Sequence, residues 1–283
     1  MQELQLSTKI LFEDECEKQY VVMDDGTQLL AMRSIAPKET RNGHTLLMVP
    51  GWGTLPLSWK GFIEEARKDF DFIYFETREK ASSILPKKAE RGGIQRLSTD
   101  LAIAIEQLDL DQDKLILVGS CMGANLIADG LAYDKYAPKE SFLIGPQPKW
   151  PMPFGTRPLT RLGTRFTLTP IRPFLRYWIK KTQSDTPETA AKYIRVIDEA
   201  SPRKWWYIGK PIARENYLPM YKMLKKSVVL IAEKGDKMHK AKDAQKIAKA
   251  VKHAKLITMP SNKATHSELM VYKIRDHLGF SPI

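Results

Sequence analysis

The sequence predicts an α/β domain: a mostly parallel, eight-stranded sheet with helices on both faces, interrupted by one inserted, mainly helical cap. Three observations predict it. Short apolar runs rich in β-branched residues alternate with longer amphipathic stretches, the pattern of strands feeding helices around a parallel sheet. That alternation stops at Pro146 and resumes after Pro219. The chain has 283 residues, 43% of them hydrophobic, which is enough for one large core plus an insertion. The expected division is therefore 1–145 and 220–283 as core, with 146–219 as the cap.

The first two strands are KQYVVM and QLLAMRSIA, and Asp24-Asp25-Gly26-Thr27 between them is a hairpin turn signal. TLLMVPGWG is an apolar strand ending in glycines, and SWKGFIEEARKDF reads as the helix after it. Asp71–Thr77 is a buried strand. Leu97–Leu110 reads as a helix with Ser98 at its N-cap. Lys114–Gly119 is a strand, Met122–Lys135 its helix, and Ser141–Gly145 the sixth strand. After the insertion, Ser227–Ala232 and Lys255–Pro260 are strands, with helices at Lys240–Val251 and His266–Leu278. Within the insertion, Pro187–Ala200 is a short helix candidate.

The formal net charge is +12, and its location is informative. Between Lys149 and Lys226 lie 17 basic and 5 acidic residues, which leaves 28 of each sign elsewhere. A basic stretch of this kind occurs in nucleic-acid-binding proteins. No recognition motif or phosphate-cradling glycine loop accompanies it here, so nucleic acid is not the expected partner. The two cysteines, Cys16 and Cys121, form neither a disulfide framework nor a zinc-ligand spacing. No metal or cofactor is expected. The polar, acidic N-terminus lacks a signal-peptide pattern, and no apolar run approaches the roughly 20 residues that cross a bilayer. The expectation is a cytoplasmic protein.

The richest motif is LILVGSCMGANLIADGLA. An apolar strand runs into Gly119-Ser120-Cys121-Met122-Gly123 and then a helix. This is G-x-C-x-G at a strand–turn–helix junction, where a nucleophile sits on a sharp, strained turn. Side chains at the two flanking positions would collide with neighbouring backbone, hence the glycines. Ser120 is a rival nucleophile by type alone, but only Cys121 has glycine at both −2 and +2. The chemistry suits a thiol. The thiolate is the reactive form, and a helix N-terminus favours the anion.

On these residues the chain resembles the α/β-hydrolase superfamily over nearly all of its length outside the insertion. The G-x-C-x-G form resembles two cysteine-using branches, dienelactone hydrolases and polyhydroxyalkanoate synthases, while the layout is more like the capped esterases. The resemblance implies a triad in the chain order nucleophile, acid, histidine. SVVLIAEKGDKMHK resembles the strand and loop carrying the acid, with Asp236 at the family position and Glu233 as its competitor nearer the strand. In KLITMPSNKATHSELM, His266 opens the final helix and is the implied base. Pro50-Gly51-Trp52-Gly53 resembles an H-G-W-G loop, with proline in place of the histidine. It implies an oxyanion hole made of the Trp52 and Met122 N–H groups.

The implied activity is cleavage of a carboxylic ester or thioester through a thioester on Cys121. An acyltransferase is the alternative, because a cysteinyl thioester lies close in energy to a coenzyme A thioester. A catalytically inactive binding protein is the third class. In the insertion, Arg157, Arg161 and Arg165 recur every four residues, interleaved with aromatics from Trp150 to Trp206. Such a lid suits an acyl chain on an anionic carrier, acyl-CoA or an acyl carrier protein. It suits peripheral contact with an anionic membrane equally well.

Overall fold

The structure, a computed structural model, describes residues 9–90, 92–149, 173, 176–177, 194–234 and 241–280. Eight strands form one sheet: β1 (Glu17–Val22), β2 (Gln28–Ser34), β3 (Thr45–Val49), β4 (Asp71–Phe75), β5 (Leu115–Ser120), β6 (Glu140–Ile144), β7 (Val228–Glu233) and β8 (Ala254–Met259). Their spatial order is β1-β2-β4-β3-β5-β6-β7-β8. β2 runs antiparallel to both β1 and β4, and every other pairing is parallel. The expected hairpin turn is present. Gly26 takes φ +77°, and the Met23 N–H donates to Thr27 O at 2.7 Å.

Period-two alternation divides each central strand between two cores. Leu47, Val49, Ile73, Leu117 and Leu230 face one side, with α3 (Ile94–Gln107) and α4 (Met122–Ala132) packed on them. Leu46, Met48, Phe72, Ile116 and Ile231 face the other, against α1 (Leu11–Glu15), α2 (Lys60–Ala66) and the last helix. Those strands are buried on both faces, so their sequences read as continuous apolar runs. Between β6 and β7 the described residues include a helical run over 194–199, α5 (Pro202–Ile212) and α6 (Leu218–Tyr221). α7 (Ala241–Ala250), α8 (Asn262–Thr265) and α9 (Glu268–Leu278) follow β7 and β8. Arg275 on α9 is buried and pairs with Glu65 at 2.6 Å and Asp69 at 2.7 Å, fastening α9 to α2 and the turn after it.

Two expectations need correction. α3 begins at Ile94 with Gly93 as its N-cap, three residues before the expected start. Ser98 therefore caps nothing. It lies buried inside the helix, and its hydroxyl bonds to Asp129 of α4, an interhelical bond that single-sequence capping rules do not anticipate. His266 does not open the final helix. It ends α8, and α9 starts at Glu268 with Ser267 as its N-cap. Of Pro187–Ala200, only 194–200 are described, and 194–199 are helical. Arg157, Arg161 and Arg165 lie outside the described residues.

Candidate active site

The parallel strands β3 to β8 share one direction, and the residues that follow the carboxyl ends of β3, β5 and β8 include Trp52, Cys121 and His266 respectively. β5 passes into α4 through Cys121, whose backbone sits at φ 53°, ψ −108°. That conformation is outside the allowed wells of a non-glycine residue and costs about 1–3 kcal/mol. Surrounding contacts hold it. The Cys121 N–H donates to Ile144 O at 2.9 Å, extending the β5–β6 ladder by one bond, and its carbonyl accepts the Asn125 N–H.

The flanking glycines are steric requirements. A Cβ on Gly119 would lie 2.5 Å from Gly123 O, and one on Gly123 would lie 2.1 Å from Val49 O. Gly51 brings the loop after β3 against Cys121, since a Cβ there would lie 3.2 Å from the Cys121 Cβ. Met122 is the first residue of α4, so its N–H has no carbonyl partner within the helix.

The loop after β3 is braced from below. Gly51–Thr54 closes as a turn through Thr54 N–H to Gly51 O at 3.1 Å, with Gly53 at φ +62°. The buried Lys80 ammonium donates to Gly51 O at 3.0 Å and to Thr54 O at 2.8 Å. Above the loop, the Trp52 and Trp205 rings meet edge to face with centroids 5.7 Å apart. Gly209 on α5 lets the Trp52 indole approach, because a Cβ there would lie 2.9 Å from the ring.

His266 lies half-buried in the loop after β8 and stacks on the fully buried Trp59, with centroids 3.9 Å apart and planes 30° apart. Its Nδ1 is 2.8 Å from Asn262 O. A carbonyl can only accept, so Nδ1 carries a proton, which in the neutral imidazole leaves the lone pair on Nε2. Glu233, buried at the end of β7, accepts the Asn262 side-chain amide at 2.9 Å. The competitor carboxylate thus braces the histidine loop through Asn262. Asp236 lies outside the described residues. Trp52, in the turn, is half-buried.

A second buried network lies on the helix side of Cys121. The Tyr221 hydroxyl donates to Asn125 Oδ1 at 2.7 Å, and the Asn125 amide donates to Gln147 O at 3.0 Å. Burial, reinforced by the neighbouring Cys121, pushes the Tyr221 phenol well above its ordinary pKa, so it serves as a donor. Sequence reasoning missed Trp59, Lys80, Asn125, Tyr221 and Asn262. Asn125 and Asn262 lie inside the elbow and histidine stretches but at no signature position, Trp59 and Tyr221 lie in no motif, and only the charge of Lys80, five positions beyond an apolar strand, could have drawn notice.

No family model matches the chain, and no curated protein matches its sequence. Solved structures match its fold. A hydrolase from Pseudomonas aeruginosa PA01 aligns at TM-score 0.72 and 13% identity, over 93% of this chain and 98% of that one. The enol-lactonase from Burkholderia xenovorans LB400 aligns at TM-score 0.74 and 15% identity, covering 92% and 100%. A thermophilic esterase from Thermogutta terrifontis aligns at 0.71 and 16%, covering 93% and 98%. At such identities the likeness is one of architecture, and the architecture is the α/β-hydrolase fold.

Proposed function

We propose that this chain is a hydrolase of carboxylic esters or thioesters working through Cys121, His266 and Asp236. The observation that carries the reading is the strained backbone of Cys121 at the mouth of α4, with the glycine turn of 51–54 packed against it. A cost of about 1–3 kcal/mol at one residue is kept where geometry matters to chemistry. The esterase, lactonase and hydrolase names of the structural neighbours support the hydrolase part of it.

In this mechanism His266 Nε2 takes the Cys121 thiol proton while Sγ attacks the substrate carbonyl carbon. The N–H groups of Trp52 and Met122 hold the resulting oxyanion. The leaving group departs with the proton returned by His266, which leaves a thioester on Cys121. Water then gives a proton to His266 and attacks the thioester. The acid is released and the thiol is restored. Asp236 stabilises the imidazolium, and the Asn262 carbonyl shares the work of orienting it. Residues 146–219 form the lid in this reading, α5 supplying the wall over Trp52. Their basic and aromatic composition fits an acyl group delivered on coenzyme A or an acyl carrier protein. Contact with an anionic membrane is the other use of the same charge.

The test pairs labelling with intact mass. Iodoacetamide is expected to modify Cys121 at least tenfold faster than Cys16 at neutral pH, because burial pushes the Cys16 thiol up and keeps it protonated. A panel of p-nitrophenyl and coenzyme A esters is expected to leave an acyl mass on Cys121 and none on C121A. Equal slow labelling of both thiols, with no adduct from any ester, refutes the reading. Product partition with and without acceptor alcohols separates hydrolysis from acyl transfer.

A further inference from the structure

Lys80 is buried, and its ammonium reaches three oxygens. It bonds Gly51 O at 3.0 Å, Thr54 O at 2.8 Å and pairs with Glu79 at 3.2 Å. Burying an ammonium and a carboxylate together is costly, and hydrophobic residues of similar size commonly serve stability better. The Glu79 carboxylate is itself fully buried, with one oxygen bonded by the Thr77 hydroxyl and the other without a hydrogen-bond partner. A stability role alone therefore accounts poorly for this pair, and its placement points elsewhere. The carbonyl of Gly51 and the N–H of Trp52 belong to one planar peptide unit and point in opposite directions.

We infer that Lys80 is a positioning residue for the oxyanion hole, acting through the 51–52 peptide whose N–H is the Trp52 donor. This rests on the hydrolase reading above. A cation on the carbonyl oxygen draws electron density along the amide and strengthens its N–H as a donor, the polarisation seen along hydrogen-bond chains. It also fixes the peptide plane, since rotating that peptide breaks the Lys80 bond and the turn bond that share Gly51 O. The donor is thereby oriented before substrate arrives, which is what oxyanion stabilisation requires. A second lysine secures the first. Lys204 on α5 donates to the carbonyls of Lys80 and Ala81 at 2.8 Å each and of Ser83 at 2.6 Å. Two ammonium groups in series thus tie α5 to the oxyanion loop.

The experiment compares two reactions of the same thiol in K80M. Alkylation of Cys121 by iodoacetamide is a displacement that builds no oxyanion. Acylation by p-nitrophenyl butyrate builds one. Loss of a whole oxyanion donor costs about 10²–10³-fold, so weakening one is expected to slow acylation by roughly 10–100-fold while alkylation stays within twofold. E79Q/K80M is measured in parallel, because it leaves no unpaired carboxylate and is read in place of K80M should the single variant not fold. Acylation within twofold of wild type overturns the role of Lys80 and leaves the nucleophile reading standing. Equal loss of both reactions in the folded variant also overturns it, since that marks general damage to the elbow. A wild-type protein that acylates with no ester overturns both readings together.

Discussion

Gly123→Ala tests the elbow most directly. The new methyl would start 2.1 Å from the Val49 carbonyl oxygen and 2.9 Å from that of Pro50. Real Cβ contacts essentially never fall below 3.0 Å, so α4 and the end of β3 must part by about 0.9 Å. Both neighbours are backbone, and no side chain can rotate away to make room. Overpacking of this kind costs about 1–3 kcal/mol of stability. The larger effect is on chemistry. Val49 and Pro50 lead into the 51–54 turn, and α4 begins at Met122 with Cys121 as its N-cap, so the displacement falls between the two sides of the proposed oxyanion hole. A 1 Å misplacement at a reacting centre costs about 100-fold. G123A is therefore expected to lose about 100-fold in kcat/KM for p-nitrophenyl butyrate, with a melting temperature several degrees lower. Steady-state hydrolysis and thermal denaturation check this side by side. A variant within threefold of wild-type kcat/KM, at unchanged stability, would refute the steric account of the elbow.

Two further outcomes follow from the same structure. Trp59→Leu removes the ring stacked on His266, an interaction of about 0.5–1.5 kcal/mol, so kcat/KM should fall by about 2–12-fold. The upfield ring-current shift of the His266 imidazole protons in the NMR spectrum should also disappear, and an unchanged shift would exclude the stack. Asp25 is opposed by burial, but the Arg78 guanidinium and the backbone N–H groups of Glu90 and Thr27 outweigh it and hold the carboxyl well below its ordinary range. A carboxyl depressed in the folded state contributes stability above its unfolded pKa of about 3.9, and that contribution is lost as pH falls towards the folded value. Urea unfolding from pH 6 to pH 2 should therefore show a steep acid limb in wild type and a shallower one in D25N. Parallel limbs would show that Asp25 does not carry the linkage.

Much of the fold was legible because its core strands are buried on both faces and flanked by turn chemistry. TLLMV, DFIYF and LILVGS read as central strands, and a Cβ at either glycine flanking Cys121 would meet backbone at 2.5 Å or less. The ends of elements were less legible. Ser98 looked like a cap because its hydroxyl can satisfy a helix N–H, but tertiary packing gave that hydroxyl to Asp129 instead. The helix expected over His266–Leu278 starts two residues later, at Glu268 with Ser267 as its cap, and a separate short helix capped by Ser261 precedes it and ends at His266. Residues that brace the site were not legible at all. Lys80 follows an apolar strand by five positions, and nothing local states that its ammonium turns inward to a loop formed some thirty residues earlier.

The strand order carries a consequence for how the site comes into being. β1 to β6 occupy one contiguous part of the sheet, and β7 and β8 extend it at one edge in the order they are made. The elbow, its glycines and the Lys80 brace are all encoded before β7, whereas His266 arrives with the last two helices. A nascent chain can thus present the Cys121 thiol before His266, its proposed base, has been made.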